Sequence, residues 1–469
     1  MPQTLTIAQA RIALEDPHAC TDAADVLSVF DAVFDGLIRR DGQGGYLPAV
    51  AERWAVSDDA RTFTFRLREG LRFHNGDPVD GAAVRFSLLR MADPANGGTL
   101  GAPGVYAQYL AGMAVDLPEA GTVRVTVARP IADLADMLCY GHILSPRAMA
   151  EAGENLAARM VGTGPYRFTG WSPGAWITAE ANPFGPPPPY AALRWEAHPT
   201  PAARAQALRD GRAEIATDVG AARFDGAEVI EALSPTVMVY LFNAAHGPCA
   251  DARVRRALNL AIDRAALVAE VLGGAGRPLS GYLSPQHVGY DSAAPALRQD
   301  VSEARRLLAE AGHASGLTLA VDCPTRLPDE AQALTAAVGR QLAEVGVTLA
   351  VTVHADRVAY ANRVREKRIG DMCVFDSSPM SAFRVLQEKI DARFAGSWWQ
   401  GFHNAEVEAL IDRARGTVAD APRTAIYEQI YRLLQDDPPW LYLYNHTRRL
   451  AVRGTITPPP RDDGVLSLR

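Results

Sequence analysis

Lysine is almost missing from this 469-residue chain: only Lys367 and Lys389 occur, and the rest of the 47 basic residues are arginine. Acidic residues number 54, so the formal net charge is −7. No basic stripe is present, and nothing draws the chain to nucleic acid or to an anionic membrane surface. Cysteine is sparse, with five residues at positions 20, 139, 249, 323 and 373 and no C-x-x-C pair. A zinc knuckle or a thioredoxin-like site is therefore not expected. The odd number leaves one thiol unpaired, and the spacing leaves open whether one or two disulfides form. No apolar run approaches the ~20 residues of a membrane span. The opening MPQTLTIAQA has neither a basic nor an apolar leader region. A mature form lacking its leader is expected, with a cytosolic relative as the alternative. G-x-S-x-G, H-E-x-x-H, Walker and G-x-G-x-x-G motifs are all absent, which argues against catalysis. His246 and Cys249 form an H-x-x-C pair without further ligands and read as a loop before a helix. No cofactor and no metal are expected.

What is present is an ordinary globular composition, 48% hydrophobic and 22% charged, long enough for more than one core. The chain is organised around residues 46 to 80. Leu47, Val50, Ala51 and Trp54 read as a short helix or turn. Phe63, Phe65 and Leu67 then alternate with Thr62, Thr64, Arg66 and Arg68, which predicts a half-buried strand. Leu71 and Phe73 are expected to begin a second strand, ended by the turn cluster Asn75-Gly76-Asp77-Pro78. Ala82 to Met91 follows as a helix, with Asp80 as its cap.

Leu5 to Ile12 reads as a first strand and Val26 to Leu37 as a helix. Val123, Val125 and Val127 mark a strand, and Ile131 to Leu138 a short helix. Val237 to Asn243 is a buried strand. Val254, Leu258, Ala261, Ala265, Val268 and Leu272 predict one helical stripe, capped near Asp251. Helices at 302 to 311 and 329 to 345 alternate with strands at 317 to 321 and 347 to 353, the pattern of an α/β sheet. Asn404 is expected to cap a helix, and Ile426 to Leu434 lies on another, stopped by Pro438-Pro439. Leu441 to Tyr444 is a strand.

The run from Val50-Ala51-Glu52-Arg53-Trp54 through Ser57-Asp58-Asp59, Thr62-Phe63-Thr64-Phe65-Arg66-Leu67-Arg68-Glu69-Gly70 and Phe73-His74-Asn75-Gly76-Asp77-Pro78 resembles the signature of the extracytoplasmic solute-binding proteins of peptide/nickel-type ABC importers. Met160-Val161-Gly162-Thr163-Gly164-Pro165-Tyr166 is similar to the family's P-[VI]-G-T-G-P-[YF]; it lacks the Gly-Lys-Ser/Thr of a phosphate loop and reads as a tight return of the chain. Asn243 to Arg264 resembles the family's N…D-x-R-V-R-x-A-[LI]-x-x-A-[IV]-D-R. The resemblance covers roughly residues 5 to 455, and the order and spacing of the motifs make it specific.

The resemblance implies an α/β, two-lobe periplasmic-binding-protein fold (type II, cluster C-like) with an extra sub-lobe. Residues 1–240 plus 441–469 would form the first lobe, the sub-lobe spanning about 38–150, and residues 241–440 the second. It implies a periplasmic or membrane-anchored protein that captures a small polar solute by hinge closure. The solute would be a peptide-like molecule, an opine-like compound or a metal chelate. It would be passed, by a monomer, to membrane permease subunits. An oligosaccharide binder of the same fold and a cytosolic ligand-sensing module are the alternatives.

Four segments are the candidate ligand contacts by their family positions. The first is the opening loop, Asp16 to Asp22, with Asp16 and His18. The second is Tyr106, with Tyr109 nearby. The third is Cys139 to His142, where nickel-binding members carry an arginine; here Tyr140 and His142 stand instead. The fourth holds Asp376, Ser378 and Arg384, followed by Trp398, Trp399 and Phe402. Peptide-binding members place there an Asp that pairs with the peptide α-amine. This chain has Ser378, with Asp376 two residues earlier. A protonated His142 would tighten the binding of a carboxylate-bearing solute at low pH.

Overall fold

The computed structural model describes residues 4–19, 23–96, 104, 106–326, 328–454 and 461–469. The chain divides into two compact units, Met1–Ala232 with Arg448–Arg469, and Leu233–Thr447.

In the first unit β1 (Thr4–Gln9) is followed by the helix Ala24–Val33 and the short strands β2 (Ile38–Arg40) and β3 (Tyr46–Pro48), which pair with each other. A four-stranded antiparallel sheet comes next, built from β4 (Ala51–Val56), β5 (Thr62–Leu67), β6 (Ala114–Glu119) and β7 (Thr122–Thr126) in the order β4-β5-β7-β6. Alternation in β5 buries Phe63, Phe65 and Leu67 while the threonines and Arg66 stay partly exposed. The helix Gly81–Met91 buries Ala83, Val84, Leu88 and Met91, and Asp80 caps it by accepting the Ala83 N–H. The remaining strands are β8 (Tyr166–Ser172), β9 (Trp176–Ala181), β10 (Ala192–Ala197) and β11 (Ile215–Ala216). β1 lies parallel between β10 and β11, and β10, β9 and β8 continue antiparallel.

Gly162 and Gly164 sit where the chain returns onto the end of the first helix. A Cβ at Gly162 would come 2.2 Å from the Val33 carbonyl oxygen, and one at Gly164 2.5 Å from that of Ala32. Close approach of two backbones, rather than a left-handed φ, is what requires glycine here.

In the second unit β12 (Glu228–Phe242) enters from the first, and β13 (Gly276–Pro278), β14 (Leu317–Pro324), β15 (Val347–His354) and β16 (Met372–Ser377) follow. β15, β14 and β16 are parallel neighbours, and β16 runs antiparallel to β12. β17 (Trp440–Val452) pairs with β13 and then with β11. The unit boundaries fall inside β12 and inside β17. Phe242, Val254, Leu258, Leu267, Leu308, Leu319, Leu334, Val338 and Leu443 belong to one core.

Three local expectations are corrected. Residues 46 to 54 form strands, not a helix or turn: Trp54 pairs across from Phe65, and sheet pairing overrides the helical spacing of the apolar residues. Leu71 and Phe73 begin no strand. Only Arg72 bridges to Pro78, because the Phe73 N–H bonds the Asp77 carbonyl and turns the chain back at once. The stripe from Val254 to Leu272 is two helices, Ala252–Leu260 and Arg264–Leu272. Asp263 restarts the helix by accepting the Ala266 N–H, while its own N–H is held by Gln341. The Asn404 cap and the helix Ala405–Gly416 are as expected.

Candidate functional site

The first-unit candidates form one connected set. Asp16, in the loop after β1, accepts from Arg90 at 2.5 and 2.8 Å and from Arg159 at 2.6 Å. It also accepts the His18 N–H at 3.0 Å. Burial raises its pKa, but the Arg90 and His18 hydrogen bonds outweigh that and the net shift is downward. His18 places Nε2 2.8 Å from the His142 carbonyl, and burial holds its imidazole down at about 4. Tyr106 donates to the Tyr140 carbonyl at 2.8 Å, and Tyr140 donates to Asp463 at 2.7 Å. Tyr109 is buried. Residues 20–22 of the loop, Cys20 among them, lie outside the described residues.

The His142 ring lies against Phe30 and Phe34, with centroids 5.4 and 5.2 Å away, and neither ring nitrogen has a hydrogen-bond partner. Burial, and then His18, push its pKa down to about 3. Burial thus disfavours the protonated His142 on which a tightening of binding at low pH would depend. Apolar helix packing decided this, and the chain segment around residue 142 gave no sign of it.

In the second unit Asp376, near the end of β16, has no ion-pair partner among the described residues. Burial raises its pKa against the pull of Arg357 and Lys389. Lys389 Nζ donates to Ser377 at 2.9 Å and lies 5.2 Å from the Phe375 ring centroid. Ser378 is half-buried. Arg384 is buried and paired with Glu388 at 3.2 Å, one turn along the same helix. Trp398 packs on Phe375 at 5.1 Å with the Arg365 guanidinium 5.6 Å from its ring, whereas Trp399 donates to the Phe402 carbonyl at 2.6 Å. The two tryptophans thus have different neighbours. Phe402 is buried under the Arg255 guanidinium, 5.5 Å away.

Sequence reasoning missed a polar cluster at the end of the first helix. Arg461 and Arg469 converge there on Asp31 and Asp35. Asp31 lies in the last turn of the helix and Asp35 just past its C-cap Phe34, and no pattern connects them to a segment more than 400 residues on. Cys139, Cys249, Cys323 and Cys373 are free, buried thiols. Among the described residues no group of three or more His, Cys, Asp or Glu could hold a metal, and no helix is long and apolar enough to cross a membrane.

A family profile described as bacterial extracellular solute-binding proteins, family 5, middle region, matches residues 45–382. The chain belongs to this family. It is 28% identical over 450 residues to the glutathione-binding protein GsiB of Escherichia coli strain K12, covering 91% of this chain and 86% of that protein. In fold it is similar to the periplasmic binding protein AgaA, solved with agropinic acid, from A. tumefaciens R10 (TM-score 0.83, 24% identity, 99% and 96% of the two chains covered). The NikA of Brucella suis, solved with Fe(III)-EDTA, is alike (TM-score 0.82, 21% identity, 99% and 98% covered). The fold is accordingly the two-lobe α/β fold of family 5, and the chain is a solute-binding component of an ABC importer. Family members are transport proteins, not enzymes.

Proposed function

We propose that this protein captures a small polar solute outside the cytoplasmic membrane and delivers it, as a monomer, to the permease subunits of its importer. The solute is peptide-like, opine-like or a metal chelate, the range that the names of relatives and fold neighbours span. Its contacts come from Asp16, His18, Tyr106, Tyr140 and His142 in the first unit. Those of the second unit are Asp376, Ser378, Arg384, Trp398, Trp399 and Phe402. The observation that carries this reading is Asp376, a carboxylate without an ion-pair partner among the described residues, beside Ser377 and Lys389. Buried charges are normally paired, so an unpaired one suits a ligand group. Closure flexes β12 and β17, the two strands in which the unit boundaries fall. A ligand shifts an open–closed equilibrium only by binding the closed form better. The test is native mass spectrometry of protein purified from its host, followed by small-angle scattering with and without the retained solute. A smaller radius with solute is expected, and an unchanged radius with solute demonstrably bound overturns closure.

A further inference from the structure

Trp398 sits in a stretch, residues 396–400, that belongs to no helix or strand. Contacts from the ends of two helices hold it. The Trp398 N–H bonds the carbonyl of Glu388, in the helix Ala382–Lys389, at 3.3 Å. Gln400 Nε2 donates to the carbonyl of Val364, in the helix Arg357–Arg365, at 2.8 Å. Lys367, just past that second helix, donates its Nζ to two carbonyls at once, Gly396 at 2.7 Å and Ser397 at 2.8 Å. These are the two carbonyls that lead into the indole.

The backbone is strained on both sides of this tie. Lys367 has a φ of 60° and Ala395, directly before the two carbonyls, a φ of 47°. Past the end of a helix that conformation is normally taken by Gly or Asn. Among the described residues four non-glycine residues have positive φ, and two of the four meet at this one contact. Gly396 has no slack either, since a Cβ there would lie 2.5 Å from the Glu388 carbonyl oxygen. Such strain persists only where the surroundings fix it, and it gathers at functional sites. Lys367 is not placed there for an ion pair. No carboxylate pairs with it among the described residues, and burial alone lowers its pKa, to about 8. A compact ammonium with three donors suits two neighbouring carbonyls. Beyond the tie, the Trp398 ring packs on Phe375 at 5.1 Å, and Lys389, the other lysine of the chain, lies 5.2 Å from the Phe375 centroid. The two lysines thus bracket one aromatic pair.

We propose that Lys367 is the positioning residue of the Trp398 indole: by holding the carbonyls of Gly396 and Ser397 it sets the pitch at which the ring lies over Phe375. That the indole meets the solute rests on the solute-binding reading above, whereas the tie itself does not. Lys367 would touch no solute atom. It would act on selectivity through Trp398, because the pitch of an aromatic ring decides which flat or apolar group can pack on it.

The test is fluorine NMR of the full chain labelled with 5-fluorotryptophan, with no solute added. Seven tryptophans give the signals, and Trp398→Phe identifies the one that belongs to residue 398. Lys367→Met keeps the stem and the left-handed backbone but removes the ammonium. Lys367→Gly removes the ammonium and relieves the backbone as well. In both variants the Trp398 signal should shift or broaden more than that of any other tryptophan. Lys367→Arg, which can still donate to the two carbonyls, should bring it back toward the parent position. An unmoved Trp398 signal, an equal change in all the tryptophans, or no recovery with arginine overturns the proposal. Should Lys367→Met fail to fold, Lys367→Gly, whose backbone suits the site, decides by the same criteria. Native mass spectra of the variants separate this inference from the reading it rests on. A displaced indole with less solute retained than in the parent supports both. A displaced indole with solute retained in full supports the tie and removes Trp398 from the solute site.

Discussion

Asp16 and Arg90, 74 positions apart in sequence, are joined by two hydrogen bonds of 2.5 and 2.8 Å, and both side chains are largely buried. Arg159 completes the grip at 2.6 Å. Removing the carboxylate leaves two cations close together without their counter-charge. Asp16→Asn should therefore cost about 3 kcal/mol of stability, read from urea unfolding. The Asp16 pKa is lowered in the folded state, so its contribution is present above the unfolded value near ~3.9 and is lost as pH falls through the folded value. A loss below about 1 kcal/mol would mean that the pair is a surface contact in effect.

His18 and His142 make a second, separate acid sensitivity. Their folded values, about 4 and about 3, both lie below the ordinary imidazole value. The unfolded chain takes up these protons near pH ~6.5 while the folded one does not. Stability is thus full above that pH and falls as the pH drops toward the folded values, at roughly 1.4 kcal/mol per pH unit for each histidine. His142→Phe should remove one histidine's share of this slope, roughly 1.4 kcal/mol per pH unit, between pH ~6 and ~4.5. An unaltered slope would show that His142 is protonated in the folded protein.

Much of the architecture was legible because it rests on local patterns. Period-two alternation at Phe63, Phe65 and Leu67, the Asp80 and Asn404 caps, and the βα order of the second unit all survive in the structure. The failures have a common cause, which is that distant partners decided. Trp54 is a strand residue because Phe65 lies opposite, and the helix after Leu260 breaks partly because Gln341 holds Asp263. In the candidate site, residue identities could be listed, but Arg39, Asp31 and the segment 461–469 gather around His142 only through folding.

The four described cysteines should be silent in the native protein. Burial raises the thiol pKa of each, to about 12 for Cys139, and the thiolate is the reactive form. Thiol titration with an aromatic disulfide should label no more than Cys20 in native buffer and all five cysteines in denaturant. Rapid native labelling of a second thiol would place one of the four at the surface.

Gly164→Ala and Gly416→Ala should differ in sign. A Cβ at Gly164 would lie 2.5 Å from the Ala32 carbonyl oxygen and 2.6 Å from the Val33 carbonyl carbon, both backbone atoms that cannot swing away. Overpacking of this kind costs about 1–3 kcal/mol. At Gly416, the last residue of its helix, nothing lies within 4 Å of the added atom. There alanine should be neutral or stabilise by up to about 1 kcal/mol, because it reduces the freedom of the unfolded chain. Thermal melts of the two variants against the parent separate the outcomes.

The last expectation concerns what the protein refuses. By resemblance, Ser378 stands where peptide-binding members place an Asp against the α-ammonium of their ligand. Asp376 is two residues earlier, roughly 7 Å away along an extended strand. A ligand ammonium seated opposite Ser378 would lose water without gaining a counter-charge, at a cost of several kcal/mol. Ordinary di- and tripeptides should therefore bind weakly or not at all in calorimetry. Ser378→Asp should recover such binding by about tenfold or more, because a charge-assisted hydrogen bond contributes roughly 1.5–3 kcal/mol. Tight peptide binding by the unaltered protein that Asp376→Asn abolishes would assign the amine to Asp376 instead. Tight binding that Asp376→Asn leaves intact would remove this segment from the site altogether.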